Sequence, residues 1–254
     1  MGKIIAIVNQ KGGVGKTTTS INLSACLADK GRSVLLIDLD PQGNTTSGLG
    51  INGSGLSKSI YRCILGRKEI QETFVDTEFP SLKLIPSTPE LYGAEVELMD
   101  VSPKELLLKN ALSEIKQSFQ YIIIDCPPSL GVLTINALSA ADSVIVPLQC
   151  EYYALEGIAQ LLKTITKIKE SLNPNLDIEG ILLTMQDLRT NLSAEVSENV
   201  SAKFGDKVFK TIIPRNVRLS EAPSFGKPII LYDRFSKGAE RYIQLSEEII
   251  NNET

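Results

Sequence analysis

Two hydrophobic rhythms alternate along the chain. Short runs crowded with β-branched residues, Lys3–Val8 (KIIAIV), Ser33–Ile37 (SVLLI), Tyr121–Asp125 (YIIID) and 143–148 (SVIVPL), read as strands buried on both faces. Runs 178–184 and 208–213 and the shorter Leu82–Pro86 (LKLIP) have the same character. Between them, apolar residues recur at helical spacing over about 17–30, 103–117, 154–171, 190–203 and 236–250, and again near 57–65. Strands alternating with helices predict an α/β fold with a doubly wound, mostly parallel sheet. No linker, repeat or low-complexity segment interrupts the 254 residues, so a single domain over 1–254 is expected.

The first strand runs directly into Lys11–Thr18, K-G-G-V-G-K-T-T, and then into a helical pattern. Strand, glycine loop and helix in that order describe a phosphate-binding loop. Glycines at 12, 13 and 15 free the backbone, through Val14, to turn successive N–H groups toward one anion, and the helix start adds its positive dipole end. In such a loop Lys16 contacts the β- and γ-phosphates, Thr17 ligates Mg²⁺, and Thr18 contacts a phosphate nearer the ribose. The usual leading glycine is replaced by Gln10, with four residues between it and Gly15. Lys11 has little to do for its own nucleotide and is better placed to reach one held by a second copy of the chain; the plain alternative is a solvated loop lysine.

Carboxylates end two of the other strands. Ser33–Ile37 leads into Asp38-Leu39-Asp40-Pro41, and alternation sends Asp38 and Asp40 to the same side. Tyr121–Ile124 leads into Asp125-Cys126-Pro127-Pro128, four apolar residues and an aspartate in the Walker B arrangement that holds Mg²⁺ through water. Acidic groups at the carboxyl ends of parallel strands stand where open α/β sheets bind ligands. Loops 41–44 and 127–131 are candidate switches that follow the γ-phosphate. No N-K-x-D guanine motif occurs, which favours adenine.

With Lys11 and the paired Gly12-Gly13, the loop resembles the deviant Walker A form of the ParA/MinD family of P-loop ATPases. E-Y-Y-A-L-E-G at 151–157 and I-P-R-N-V-R-L-S-E-A-P-S-F-G-K-P at 213–228 resemble its chromosomal ParA, or Soj, branch. The resemblance runs nearly end to end and is least distinctive over 51–80. It implies that Asp40 orients the attacking water, that Asp38 lies nearer the metal's water shell, and that Pro214 and Asn216 contact the adenine. It further implies an ATP-dependent homodimer that binds double-stranded DNA nonspecifically. Slow Mg-dependent ATP hydrolysis would be accelerated by a ParB-type partner through a basic N-terminal peptide. The output would be chromosome partition, with an influence on replication initiation or sporulation.

Charge qualifies the DNA expectation. The chain is net −4 overall, which does not attract a polyanion. Between Lys210 and Arg241, however, seven basic residues face three acidic ones, whereas Glu69–Glu105 carries nine acidic against two basic. Arg189 and Arg218 match basic positions of the Soj pattern, with Arg215, Lys227 and Arg234 next; for any one of them a merely solvated side chain is the alternative. Contacts to phosphates without sequence preference are expected. A MinD-like membrane-associated positioning ATPase would need a basic amphipathic helix, but the tail Y-I-Q-L-S-E-E-I-I-N-N-E-T is acidic, and its Ile243, Leu245, Ile249 and Ile250 read as packing on the sheet. A metabolic enzyme on the same loop would need an insertion to build a substrate pocket. Four cysteines without C-x-x-C spacing read as free thiols, and no run approaches the roughly 18 apolar residues of a membrane span. A cytoplasmic, nucleoid-associated protein is therefore expected.

Overall fold

The computed structural model of the chain describes residues 2–151, 154–187, 189 and 191–252. Tyr152, Tyr153, Thr190 and Glu253, which figure in the motifs above, lie outside the described residues. Seven strands, β1 (Lys3–Ile7), β2 (Val34–Asp38), β3 (Val75–Asp76), β4 (Leu82–Ile85), β5 (Tyr121–Asp125), β6 (Ser143–Gln149) and β7 (Asp177–Thr184), form one sheet in the order β3-β4-β2-β5-β1-β6-β7. Every pairing is parallel except β3 with β4. The chain leaves β1 toward β2 on one side and leaves β5 toward β6 on the other, opening a crevice at the carboxyl ends of the central strands.

Alternation divides the core into two layers. Ile5, Ile7, Leu36 and Ile123 point to one face, where helices Lys16–Asp29 and Lys237–Asn251 cover them with Leu23, Leu27, Tyr242, Leu245 and Ile249. Ile4, Ala6, Leu35 and Ile122 point to the other, under Leu112, Leu133, Ala137, Ile158, Leu161 and Val200. Each fully buried leucine or isoleucine contributes roughly 1.5–3 kcal/mol against leaving it in water, which is why the central strands are apolar on both sides. The four cysteines are buried and free.

The short elements β3, Asn44–Gly48, Leu91–Glu97, Val217–Glu221 and Ile229–Tyr232 were not expected, and three longer stretches also depart from expectation. Residues 208–213 make no strand: Phe209 N–H donates to Ile181 O at 3.0 Å and Ile213 N–H to Leu183 O at 2.9 Å. The amides of Lys210 and Thr211 between them are instead taken by the Glu248 carboxylate, at 2.7 and 3.0 Å, so the ladder is interrupted by the C-terminal helix. The 103–117 stretch is broken into helix Leu107–Ser113 flanked by 3₁₀ turns. Helix Val132–Ala140 was not expected, because its sequence VLTINALSA is uncharged and apolar nearly all round, with no amphipathic period to read.

Candidate functional site

The glycine loop stands at the carboxyl end of β1. Gly13 and Gly15 adopt φ of 73° and 90°, and helix Lys16–Asp29 starts at once, its Thr19 N–H closing on Gly15 O at 2.9 Å. Polar residues from the ends of β6 and β7 tie the loop from beneath. Gln149 Nε2 donates to Gly13 O and Thr184 Oγ1 to Val14 O, both at 2.9 Å. Asn9 Nδ2 donates to Pro147 O at 2.7 Å, and its Oδ1 accepts from Lys11 N–H at 3.0 Å. Tying the carbonyls down leaves the loop's N–H groups for the cleft, the arrangement an anion requires.

The carboxylates are packed below. Asp38 and Asp125 are register partners across β2 and β5, and both are wholly buried. Asp125 Oδ2 accepts from Thr17 Oγ1 at 2.8 Å and Thr45 Oγ1 at 2.7 Å, and its Oδ1 accepts from Ser20 Oγ at 2.9 Å. Asp38 Oδ2 accepts from Thr46 N–H and Oγ1 at 2.8 and 2.6 Å, and its Oδ1 accepts from Asp40 N–H at 3.3 Å. Burial, with Asp125 beside it, pushes the Asp38 carboxyl up to about 8. Burial pushes Asp125 up to about 6 against the three hydroxyls that donate to it. Burial also lowers the Lys16 ammonium, opposed chiefly by Asp125; its Nζ folds back to Lys11 O at 3.4 Å. Two adjacent buried carboxylates and one disfavoured ammonium leave the site short of positive charge, which suits a cation. Among the described residues no group of three or more Asp, Glu, Cys or His could hold a metal ion alone. A cation here would therefore draw oxygens from a ligand as well as from Thr17 and Asp125.

Two cavities join at the loop. One, of about 360 Å³, is lined by Gly12, Gly13, Gly15, Lys16, Thr17 and Thr18 and faces Asp40 and Pro128. The second, of about 320 Å³, shares Gly15, Thr18 and Met185 and is walled by Pro214, Asn216, Leu219 and Tyr242. A phosphate-sized end and an apolar, base-sized end thus meet at Thr18. Asp40 sits on the wall of the first, its Oδ1 accepting from Gln42 N–H at 3.0 Å. Asn216 Oδ1 caps helix Val217–Glu221 through Leu219 N–H at 3.2 Å.

Lys11 points away from its own loop into an ion pair, Nζ to Glu151 Oε2 at 2.7 Å, with both side chains about half exposed. Three of the candidate DNA-binding arginines are also engaged. Arg189 grips Asp187 with Nε and Nη2 at 2.8 and 2.7 Å. Arg218 reaches Glu221 at 2.9 Å and Asp233 at 3.5 Å, and Arg234 forks onto Asp29 at 3.1 and 2.8 Å. Arg215 is exposed at the rim of the base-sized cavity, and Lys227 is half-buried.

The sequence reading overlooked Asn9, Gln149 and Thr184, the Ser20 and Thr45 hydroxyls on Asp125, Thr46 on Asp38, and Glu151. A signal existed for two of them: Gln149 and Thr184 are polar residues ending apolar parallel strands, as Asp38 and Asp125 are.

Residues 2–178 match the AAA_31 family, described as an AAA domain. The chain is 58% identical over 252 residues to sporulation initiation inhibitor protein Soj of Bacillus subtilis (strain 168), covering 99% of this chain and 100% of that protein. It is 56% identical to the chromosome partitioning protein ParA of Myxococcus xanthus (strain DK1622), covering 100% of this chain and 90% of that one. The crystal structure of cobyrinic acid a,c-diamide synthase from Mycobacterium smegmatis with bound ADP and magnesium superposes with a TM-score of 0.87 at 39% identity, covering 99% and 95% of the two chains. The cell division ATPase MinD of Pyrococcus furiosus gives 0.82 at 26%, covering 99% and 100%.

Proposed function

Since the chain belongs to the ParA/MinD family of P-loop ATPases, and within it resembles the chromosome-partitioning ParA and Soj proteins, we propose that it is a Mg-ATP hydrolase whose ATP-bound dimer holds DNA nonspecifically and partitions chromosomes with a ParB-type partner. The observation that carries this reading is the convergence of the Lys11–Thr18 loop, the Thr17–Asp125 pair and Asp40 on one phosphate-sized cavity. The loop amides and Lys16 bind the phosphates, with Pro214 and Asn216 at the adenine. Thr17 and Asp125 would hold Mg²⁺ together with the phosphates, and the ion would supply neutralisation of charge on the γ-phosphoryl group. Asp38 anchors the first switch loop through Thr46 at the metal's edge. Asp40 orients the attacking water.

Lys11 acts in trans. Its pair with Glu151 is exposed, and such pairs contribute roughly 0–1 kcal/mol, so exchange for a partner's phosphate costs little. Dimerisation doubles the phosphate contacts offered by Arg189, Arg218 and their neighbours, and the logarithmic salt slope of DNA binding doubles with them. ATP therefore switches DNA binding on without touching DNA, and slow turnover keeps the state long enough to be used. The membrane alternative is disfavoured by helix Lys237–Asn251, whose Tyr242, Leu245 and Ile249 are spent on the sheet. Among the described residues no helix is long and apolar enough to cross a membrane.

The test is retention of Asp40→Ala on nonspecific duplex DNA and on anionic liposomes, with ATP and with ADP, at low salt. ATP-dependent retention on DNA alone is expected. Retention on liposomes alone would overturn the reading in favour of a membrane-positioning role, and retention on neither would remove both targets.

A further inference from the structure

Among the described residues, Met185 alone combines a side chain with a left-handed φ, 53°. Backbone strain of this kind persists where the surrounding structure fixes it. What fixes it here is a change of direction after β7. Thr184 Oγ1 still ties the glycine loop through Val14 O at 2.9 Å. One residue past Met185, Gln186 N–H already donates to Ile213 O at 3.2 Å, and Gln186 O accepts from Arg215 N–H at 3.0 Å. The kink swings the chain from the loop to the base wall and leaves the Met185 side chain between them. That side chain lines both cavities, its Cε 4.0 Å from where a Cβ on Gly15 would stand.

The thioether is also wired into the loop. Gln149 Nε2 donates to Met185 Sδ and to Gly13 O, both at 2.9 Å. An amide nitrogen carries two hydrogens, so one is spent on the loop and the other on the sulfur. A half-buried sulfur on the wall of two open cavities is within reach of a small oxidant when no ligand fills them. A ligand spanning both cavities would cover it. The other methionine among the described residues is Met99, which is 64% exposed and lines neither cavity. It supplies an internal reference for oxidant access.

We propose that Met185 is an oxidation site that weakens nucleotide binding, with a peroxide as the oxidant. The O–O bond of the peroxide breaks, one oxygen joins Sδ as the sulfur gives up two electrons, and the other oxygen leaves as water. The sulfoxide is polar and larger where the thioether was apolar. Its oxygen lies either between Sδ and Gln149, pushing the amide off Gly13 O, or in the joint that a nucleotide must cross. The first position loosens the loop and the second obstructs the ligand. A methionine sulfoxide reductase reverses the step: two thiols give up their hydrogens, form a disulfide and release the oxygen as water. The proposal rests on the nucleotide reading of the two cavities and adds their control by oxidation. Dimerisation and DNA retention, which follow ATP, fall with nucleotide affinity.

The test treats the full chain with hydrogen peroxide, maps sulfoxides by peptide mass, and titrates ADP by calorimetry before and after. Met99 is expected to oxidise at the same rate with and without ADP. Met185 should oxidise about tenfold more slowly with ADP at ten times its dissociation constant, following the fraction of chain left unbound. Oxidation should lower ADP affinity about three- to tenfold, the worth of one hydrogen bond, and the reductase should restore it. Met185→Leu, measured against its own untreated affinity, should hold that affinity through peroxide, whereas Met99→Leu should lose it as wild type does. Because Met185→Leu retains all four cysteines, a loss there would assign the effect to a thiol and overturn the proposal. So would a Met185 that stays reduced in the free chain, oxidises equally fast with ADP, or oxidises fully without loss of affinity. A wild-type chain that binds no ADP before treatment would defeat the nucleotide reading first, and this proposal with it.

Discussion

The two ends of the nucleotide cleft are built by opposite means. At the phosphate end Asp38 and Asp125 are the last residues of buried strands, and Lys16, Thr17 and Thr18 stand in the first turn of a long helix. Asp125 alone takes three hydroxyls between 2.7 and 2.9 Å. At the base end Tyr242 comes from the C-terminal helix, but Pro214, Asn216 and Leu219 come from irregular chain and the five-residue helix Val217–Glu221, capped by one bond at 3.2 Å. One end is rigid because it is the edge of the core; the other is held by local bonds and can be moved cheaply. Charge follows the same division: the phosphate end buries carboxylates, whereas the base end continues outward into the paired arginines 218 and 234.

The sharpest way to break this comparison is at Lys16. Its ammonium is disfavoured by burial, which outweighs the nearby Asp125 and Asp40, and its contact to Lys11 O is long at 3.4 Å, so the free protein loses little when it is removed. The bound state loses charge-assisted hydrogen bonds. Lys16→Ala is expected to lower ATP affinity about 10- to 100-fold in a calorimetric titration, as hydrogen bonds to charged groups imply. An affinity within about twofold of wild type would mean that the loop amides alone hold the phosphates.

Gly12 tests whether the rigid end faces a second copy. A Cβ built on Gly12 meets nothing within 4 Å, and its φ is not in the left-handed region, unlike those of Gly13 and Gly15. Gly12→Val should therefore leave the isolated chain's melting temperature within about a degree of wild type, as for an unhindered surface change. It should nevertheless reduce ATP-dependent dimer, measured by light scattering, by about tenfold or more, the cost of overpacking a close interface. A full dimer yield would take Gly12 and Lys11 off the interface.

How much was legible follows from the same division. The phosphate end could be read because its chemistry is bound to period and position: an apolar run, then Asp125; an apolar run, then Gly12, Gly13 and Gly15. Sheet class, the two-sided strands and the C-terminal helix were legible for that reason. Helix Val132–Ala140 was not, because a segment buried nearly all round carries no polar face to set its phase. Residues 208–213 looked like a strand and lie where a strand would. Glu248, almost 40 residues later, takes two of their amides, and nothing local announces that competition. The ion pairs of Arg189, Arg218 and Arg234 were equally invisible, since a run of basic residues does not say which carboxylates fold onto it.

The smallest expected effect separates stability from recognition at the soft end. Asn216 has two possible duties, capping helix Val217–Glu221 with Oδ1 and presenting its amide to the base. Asn216→Ala removes both and should cost about 1 kcal/mol, lowering the melting temperature by about 2–4 °C. Asn216→Asp keeps an acceptor at the cap and removes only the donor. It should melt near wild type yet bind ATP roughly three- to tenfold more weakly, the range for one neutral hydrogen bond. If Asn216→Asp binds ATP as tightly as wild type, the residue is a helix cap and the base is read by shape alone. Adenine and guanine nucleotides should then compete almost equally for a cavity walled by Pro214, Leu219 and Tyr242.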